Sequence, residues 1–123
     1  IGIGPGAHGR LTLRGERLRT EQAPAPAHWL SAVAAAGHAT RVCVPVGKTE
    51  QADEYLMMGL RLADGIDRAL FARIVGRPLD DCIDGAKVAL LGKAGFLVSD
   101  QRGLRATAAG MQRLNAIIAT IAL

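Results

Sequence analysis

Apolar residues recur at helical spacing in the part of the chain that begins at Thr49. Residues three and four positions apart share one face of a helix, so this spacing predicts amphipathic helices around a common core. Three helices are predicted: Thr49 caps the first, Asp67 caps the second and Pro78 opens the third, and a glycine follows each of them. The predicted core residues are Leu56, Met57, Leu60, Ala63, Leu70, Phe71, Ile74, Val75, Leu79, Ile83, Val88, Leu91, Met111, Leu114, Ile117, Ile118 and Ile121.

The segment that starts at Phe96 begins with a strand-like pattern. Residues 96–106 are predicted to form a hairpin around a tight turn, and Thr107 is predicted to cap a closing helix. Three helices, a hairpin and a closing helix follow the order of a winged-helix domain. We therefore predict an α+β fold in which residues 49–123 form a mainly helical, winged-helix-like C-terminal domain.

The first 48 residues follow a less regular pattern. The predicted elements are an apolar strand at the start that runs into a glycine loop, a strand at 11–13, a turn at 15–16, an extended connector at 23–26, a helix at 28–36 ended by Gly37, and a strand at 41–46. This arm has little apolar material, so we expect it to need a partner surface. A strand-like start without an initiator Met leads us to expect a fragment of a longer protein.

The positive charge lies in the same arm. The formal net charge is +4, with six basic and two acidic residues in 1–48 and nine of each in 49–123, so the arm carries the whole excess. An anionic partner there, such as a ligand with propionate or phosphate groups, would suit these charges. A solvated arginine-rich loop explains them equally well, and the sequence leaves both interpretations open.

The glycine loop is the strongest chemical signal in the chain. Gly2, Gly4 and Ala7 fall at the spacing of the dinucleotide-binding motif, in which glycines let the backbone approach a pyrophosphate. That motif should open a helix, but residues 9–13 look extended, and no acidic residue ends a second strand about twenty positions later. We reject the dinucleotide site. A loop that approaches another ligand and a simple tight turn both remain possible.

The metal-binding residue types are scattered. Cys43 and Cys82 match no metal spacing and are interpreted as reduced thiols of a cytoplasmic protein. The three histidines lack metal spacing, and the pair Met57-Met58 is better explained by packing than by haem ligation. Haem binding through His8 or Met58 stays an alternative. No apolar run reaches the roughly 18 residues of a membrane span.

A winged-helix order invites a nucleic-acid-binding function, which is the competing hypothesis. A helix that contacts DNA should present arginine and lysine to the phosphates. The predicted third helix instead begins with the carboxylates of Asp80, Asp81 and Asp84, and only Arg102 and Arg105 decorate the predicted wing. Nucleic acid is therefore an unlikely partner, and no catalytic set of side chains stands out.

Several motifs together resemble one known family. They are the loop Gly2-Ile-Gly-Pro-Gly-Ala-His-Gly-Arg10, the spaced Pro26, Trp29 and Leu30, the stretch Glu54-Tyr-Leu-Met-Met-Gly-Leu-Arg-Leu62, Gly65-Ile66-Asp67, Gly95-Phe96-Leu97, and the closing Thr107, Gly110, Leu114 and Asn115. Across essentially the whole chain and in the right order, they resemble the C-terminal portion of the oxygen-independent coproporphyrinogen III oxidase family, whose members are radical S-adenosylmethionine proteins. The Pro-Gly-Ala-His form is most similar to the haem-chaperone-like branch.

The resemblance implies a role within a longer protein. Residues 1–48 would be the end of the catalytic barrel and a connector, and residues 49–123 a non-catalytic lid. The longer protein would use a 4Fe–4S cluster and S-adenosylmethionine in porphyrin biosynthesis, or hold and deliver haem. Its Cys-x-x-x-Cys-x-x-Cys motif does not occur here, so we expect the fragment itself to hold no cofactor or metal.

The resemblance also implies partners and site residues. The partners would be the missing N-terminal barrel and, in the longer protein, a porphyrinogen or haem. An exposed barrel-facing surface could also dimerise the fragment. The residues Gly2, Gly4, Gly6, Ala7 and His8 would line the barrel mouth near S-adenosylmethionine, with His8 in the position that contacts the nucleoside.

Overall fold

Contacts divide the computed structural model, which describes residues 1–123, into two units, Ile1–Gly47 and Lys48–Leu123. The first unit is built on three strands and one helix: β1 (His8–Leu13), β2 (Glu16–Gln22), α1 (Pro26–Ala36) and β3 (Thr40–Pro45). The strands form an antiparallel sheet in the order β1-β2-β3. The middle strand therefore has ladder partners on both sides.

The turn between β1 and β2 explains the hairpin. Arg14 and Gly15 connect the strands and have φ of 52° and 82°, the left-handed values of a two-residue hairpin turn whose twist matches the strands. The sequence pattern predicted the turn and β1 but missed β2, because Glu16–Gln22 is almost wholly polar. The arginines of this stretch lie in a strand, so their interpretation as a loop was wrong.

The start of the chain also differs from the prediction. Ile1 and Ile3 lie outside any strand and are 91% and 82% exposed, because the β1 ladder begins only at His8. The helix was predicted well: α1 begins at Pro26, two residues early, and ends at Gly37, whose φ of 77° forms a left-handed cap. The predicted last strand of this unit is confirmed as β3.

The second unit contains helices on a small sheet. Its elements are α2 (Lys48–Gly59), β4 (Ile66–Asp67), α3 (Arg68–Val75), a 3₁₀ turn (Leu79–Asp81), α4 (Gly85–Lys93), β5 (Leu97–Ser99), β6 (Gly103–Ala106), α5 (Ala108–Met111) and α6 (Leu114–Ile121). The sheet is antiparallel in the order β4-β6-β5. The predicted winged-helix-like order and α+β class are confirmed. The two-residue strand β4 was missed because it is too short for a pattern.

The second unit has one apolar core. Its buried members are Ala52, Leu56, Leu60, Ile66, Phe71, Val75, Leu79, Cys82, Ile83, Val88, Leu97, Leu104, Leu114, Ile117 and Ile121. Phe71 is fully buried and meets the ring of Tyr55 edge-on at 5.3 Å between centroids. Five predicted core residues are exposed instead: Met57, Ala63, Leu70, Ile74 and Met111. Ala63 lies in turns beyond the end of α2, and the two-turn α3 buries only Phe71 and Val75.

Side-chain caps set several helix boundaries. Asp67 accepts a hydrogen bond from the Leu70 amide and Thr107 from the Gly110 amide, as predicted. Thr49 is no cap, because α2 already begins at Lys48. The predicted third helix is also shorter than expected: Asp84 accepts from the Lys87 amide and caps α4, which begins at Gly85, seven residues after Pro78. No helix has the length and apolar character needed to cross a bilayer.

Candidate functional site

The predicted loop residues form a turn that hydrogen-bonds to the rest of its own unit. Gly4 and Gly6 have φ of 101° and 69°, which residues with a side chain rarely adopt. The amide of Gly6 donates to the Ala23 carbonyl at 2.9 Å, and that of Ala7 donates to the Gly4 carbonyl at 3.2 Å. These two amides are thus engaged within the chain, whereas the space beside the Gly4 Cα is open.

Two further glycines are required by close backbone packing. A Cβ on Gly2 would lie 2.4 Å from the His8 carbonyl oxygen, and a Cβ on Gly9 would lie 2.6 Å from the Thr20 hydroxyl. Gly2 therefore allows the start of the chain to pack closely against the backbone of His8. The strand that begins at His8, where the dinucleotide motif needs a helix, confirms that this motif does not apply.

His8 lies at the start of β1 and points to a carboxylate. Its side chain is 67% exposed, and its Nδ1 lies 3.9 Å from the Glu21 carboxylate, which is its partner residue on β2. The same carboxylate lies 3.6 Å from the Arg19 Nε. The structure thus brings His8 next to a charged group of the middle strand, a neighbour that the sequence pattern did not predict.

The sheet gathers arginines that were noticed in the sequence only as excess charge. The register pairs Arg10 with Arg19, and Thr12 with Arg17. Directly paired residues and residues two apart on a strand share one face, so all three arginines lie on the same face as His8 and Glu21. We call His8, Arg10, Arg17, Arg19 and Glu21 the arginine face. Only the β2 register could have revealed it.

The residues present do not fit an iron–sulfur cluster. No group of three or more His, Cys, Asp or Glu side chains in the structure has the geometry to hold a metal ion. Cys43 is exposed on β3. Cys82 is buried, its Sγ lies 3.6 Å from the Pro78 carbonyl oxygen, and burial raises the pKa of its thiol. Neither is a ready cluster ligand.

The exposed surface of α4 does not suit nucleic acid. Leu90 of this helix is 67% exposed, and Lys87 Nζ lies 3.3 Å from the Asp84 carboxylate. In the hairpin, Arg105 is paired with the Asp100 carboxylate at 3.4 Å. Lys87 and Arg105 thus already have carboxylate partners within the unit, which weakens the nucleic-acid hypothesis.

Arg61 joins two of the motifs that carry the family resemblance. Its Nη2 donates to the Asn115 side-chain oxygen at 2.9 Å, across 54 positions of sequence, and its Nη1 donates to the Met57 carbonyl. The end of α2 is thereby held against the start of α6. Met58 and Leu62 of the same motif are 66% and 62% exposed, so Met58 does not pack in the core of this unit.

The fold and this junction define an α+β domain of winged-helix type that is preceded by a small antiparallel sheet. Residues 46–113 match the HemN C-terminal domain family. The match spans more than half of the chain, and the chain therefore belongs to this family.

Known proteins cover nearly all of the chain. It is 36% identical over 127 residues to mouse (Mus musculus) "Radical S-adenosyl methionine domain-containing protein 1, mitochondrial" and 32% identical over 136 residues to the zebrafish (Danio rerio) protein of that name. It spans 29% of the length of each. The structure of "Coproporphyrinogen III oxidase (HemN) from Escherichia coli", described as a radical SAM enzyme, has the same fold at a TM-score of 0.64 and 17% identity, covering 97% of this chain and 27% of that one.

Proposed function

We propose that this chain is the non-catalytic C-terminal lid of a radical S-adenosylmethionine protein that acts in porphyrin biosynthesis or haem delivery. The observation that carries the proposal is the family match over residues 46–113, which lies almost wholly within the winged-helix-like unit. The chain covers 29% of the mouse relative, and this supports a place at the end of a longer protein. S-adenosylmethionine and a 4Fe–4S cluster would be cofactors of that remainder.

The contact surface of the lid is assigned to α2. The motif Glu54–Leu62 covers the last turns of this helix and the three residues after it, and the side chains of Met58 and Leu62 within it are exposed. Adjacent exposed apolar side chains mark interaction sites. We propose that they pack on the N-terminal barrel of the longer protein and exclude water from its open end.

The glycine loop would line the mouth of that barrel. Gly4 supports this assignment because the space beside its Cα is open to a neighbour, and His8 supports it because its ring is largely exposed. Gly2, Gly6 and Ala7 would hold the loop in shape. The Pro-Gly-Ala-His form of the loop is most similar to the haem-chaperone-like branch of the family, and this similarity supports haem delivery rather than oxidation. A cytoplasmic location stays a prediction; the mouse relative is named mitochondrial.

The function is tested on the longer protein, purified without oxygen. Iron–sulfur absorbance together with decarboxylation of coproporphyrinogen would identify an oxidase. Iron–sulfur absorbance with a haem Soret band but no decarboxylation would identify a haem-delivery protein. A preparation with neither a cluster nor haem binding contradicts the proposal.

The lid contact has its own variant pair. Met58→Glu in the longer protein should open the lid and make the cluster absorbance bleach several-fold faster in air, because a charge cannot stay in an apolar contact. Leu90→Glu changes an equally exposed apolar residue on α4 and should bleach at the parent rate. Equal rates for both variants would remove α2 from the contact.

A further inference from the structure

A cavity of about 490 Å³ lies at the surface of the second unit, where the end of α2 meets the start of α6. Its walls are formed by Arg61, which follows α2, and by residues 111–116, which run from the end of α5 into α6. Two of the wall residues are arginines and none is acidic, and residues 101–123 contain no aspartate or glutamate. The charged groups of the cavity wall are therefore all positive.

The Arg61 guanidinium is held in place by uncharged acceptors. Its Nη2 donates to the Asn115 side-chain oxygen at 2.9 Å, and its Nη1 donates to the Met57 carbonyl. These bonds orient the guanidinium, but they do not neutralise its charge. Because the oxygen of the Asn115 amide accepts from Arg61, the NH₂ group of the same amide remains a donor. A fixed cation and an amide donor thus form one part of the cavity wall.

Arg113 supplies the second positive charge of the wall. Its guanidinium lies over the ring of Phe96, with its central carbon 5.3 Å from the ring centroid. This contact orients the side chain and leaves its charge in place. Neither Arg113 nor Arg61 forms an ion pair with a carboxylate of the chain. Because a planar guanidinium can bind a carboxylate with two hydrogen bonds, the cavity suits an anionic group that comes from outside the chain.

Exposed apolar side chains lie beside these charges. Met58 and Leu62, which form the proposed lid contact, flank Arg61 in the sequence, and Met111 of the cavity wall is 43% exposed. A small free anion would leave all three side chains in water. A protein segment with a carboxylate next to apolar residues would cover them and pair with the arginines at the same time. The combination therefore favours a protein partner over a small ligand.

We propose that the cavity receives an aspartate or glutamate side chain of the N-terminal barrel when the lid packs on it. The inference rests on the proposed function, because it names the chemistry of the partner at the same contact. Since the chain covers 29% of the mouse relative, the carboxylate is assigned to the part of the longer protein outside this chain. Arg61 and Arg113 would bind its oxygens, and the Asn115 NH₂ group would donate a further hydrogen bond. Charge pairing of this kind fixes the register of an interface that apolar contact alone leaves less specific.

The test places an amine in the cavity of the longer protein. Arg113→Lys keeps the positive charge, and a carbodiimide then joins the new amine to a neighbouring carboxylate as an amide, with loss of water. Digestion and mass spectrometry should find the peptide that contains position 113 linked to an acidic peptide of the N-terminal barrel. Arg73→Lys makes the same change at an exposed position of α3 and should give several-fold less of any such link. The measurement requires no cluster, so it does not depend on the cofactors of the protein.

The origin of the linked carboxylate decides the outcome. Mixing isotope-labelled and unlabelled protein before the reaction shows whether a link joins residues of one chain or of two chains. A link within one chain supports the proposal. Links between two chains only, or no link above the level of Arg73→Lys, would overturn it.

Charge variants separate the carboxylate contact from the apolar one. Arg113→Gln in the longer protein should make the cluster absorbance bleach several-fold faster in air, whereas Arg113→Lys should stay near the parent rate because the charge is kept. Added salt should speed the bleaching of the parent more than that of Arg113→Gln, since salt screens the ion pair that this variant lacks. Arg73→Gln should match the parent at each salt concentration.

Two results distinguish this inference from the proposed function. Fast bleaching of Met58→Glu together with the parent rate for Arg113→Gln would keep the lid and overturn the carboxylate contact. The parent rate for both variants would overturn the contact of α2 and the carboxylate contact with it.

Discussion

Arg68 connects three parts of the second unit through a single half-buried side chain. Its Nη1 donates to both Asp80 carboxylate oxygens at 2.7 and 2.8 Å, its Nη2 to the Ser99 hydroxyl at 3.0 Å, and its Nε to the Asp100 carbonyl at 2.9 Å. The start of α3, the 3₁₀ turn and the hairpin are thereby held together. Asp80, expected to weaken DNA contact from a helix, thus serves an ion pair in a 3₁₀ turn.

The two thiols differ in accessibility, and this predicts their reactivity. Cys43 is exposed, whereas Cys82 is 5% exposed and burial raises the pKa of its thiol, which disfavours the reactive thiolate. At neutral pH, a disulfide reagent should modify one thiol quickly and the second only on unfolding.

Cys43→Ala should abolish the fast phase and Cys82→Ala only the slow one, as measured by absorbance of the released thiolate. A fast reaction in the Cys43→Ala protein would contradict the burial of Cys82. Because the pKa of the Cys82 thiol is raised in the folded state, its contribution to stability is present at neutral pH and is lost as the pH rises through that folded pKa.

At the scale of elements, one aspartate caps the start of α4 and another stabilises the turn of the hairpin. Asp84 accepts from the Lys87 amide, and Asp100 accepts from the amides of Gly103 and Arg102 at 2.9 Å each. These backbone hydrogen bonds favour the charged form, so the pKa of each carboxyl lies below its usual value. Both elements therefore depend on ionised caps.

This dependence predicts a loss of stability in acid. A folded pKa below the unfolded one stabilises the protein above the unfolded pKa, and the gain disappears as the pH falls through the folded pKa, here below about pH 4. The urea midpoint of the Asp84→Asn/Asp100→Asn double variant should vary less with pH in this range than that of the parent. Asp64→Asn, an exposed turn change, should keep the parent profile.

The elements that the pattern missed share a physical cause. Strand β2 is polar on both faces, and its stability comes from ladders with β1 and β3 that no local pattern reveals. The third helix starts late because Asp84 caps α4 and its own amide bonds to the Ile121 carbonyl. A residue at the far end of the chain therefore helps to decide where this helix begins.

At the scale of the molecule, the second unit depends on one buried ring. Phe71 has no exposed surface and packs within the cluster formed by α2, α3, the sheet and α6. Phe71→Ala should lower the free energy of unfolding by about 3–5 kcal/mol, since deletion of a buried ring leaves a cavity. Met58→Ala, at a 66% exposed position, should change it by about 0.5 kcal/mol or less. Similar urea midpoints for the two variants would contradict this core.

The sequence by itself determined the class of the second unit, its helix and hairpin order, most of its core and its family resemblance. Helical periodicity, caps such as Asp67 and left-handed glycines such as Gly76 are local properties, and they carry that information directly. It also identified the loop from Gly2 to His8, the uneven charge, and the separated motifs that contain Arg61 and Asn115.

Only the tertiary structure decided which of these residues meet. The contact between Arg61 and Asn115 spans 54 positions, and the arginine face exists only through the register of β1 on β2. When the register of a strand shifts by one residue, every side chain moves to the other face of the sheet. A polar strand has no hydrophobic pattern that fixes its register. The sequence alone therefore could not show that these arginines share one face of the sheet, although it shows every one of them.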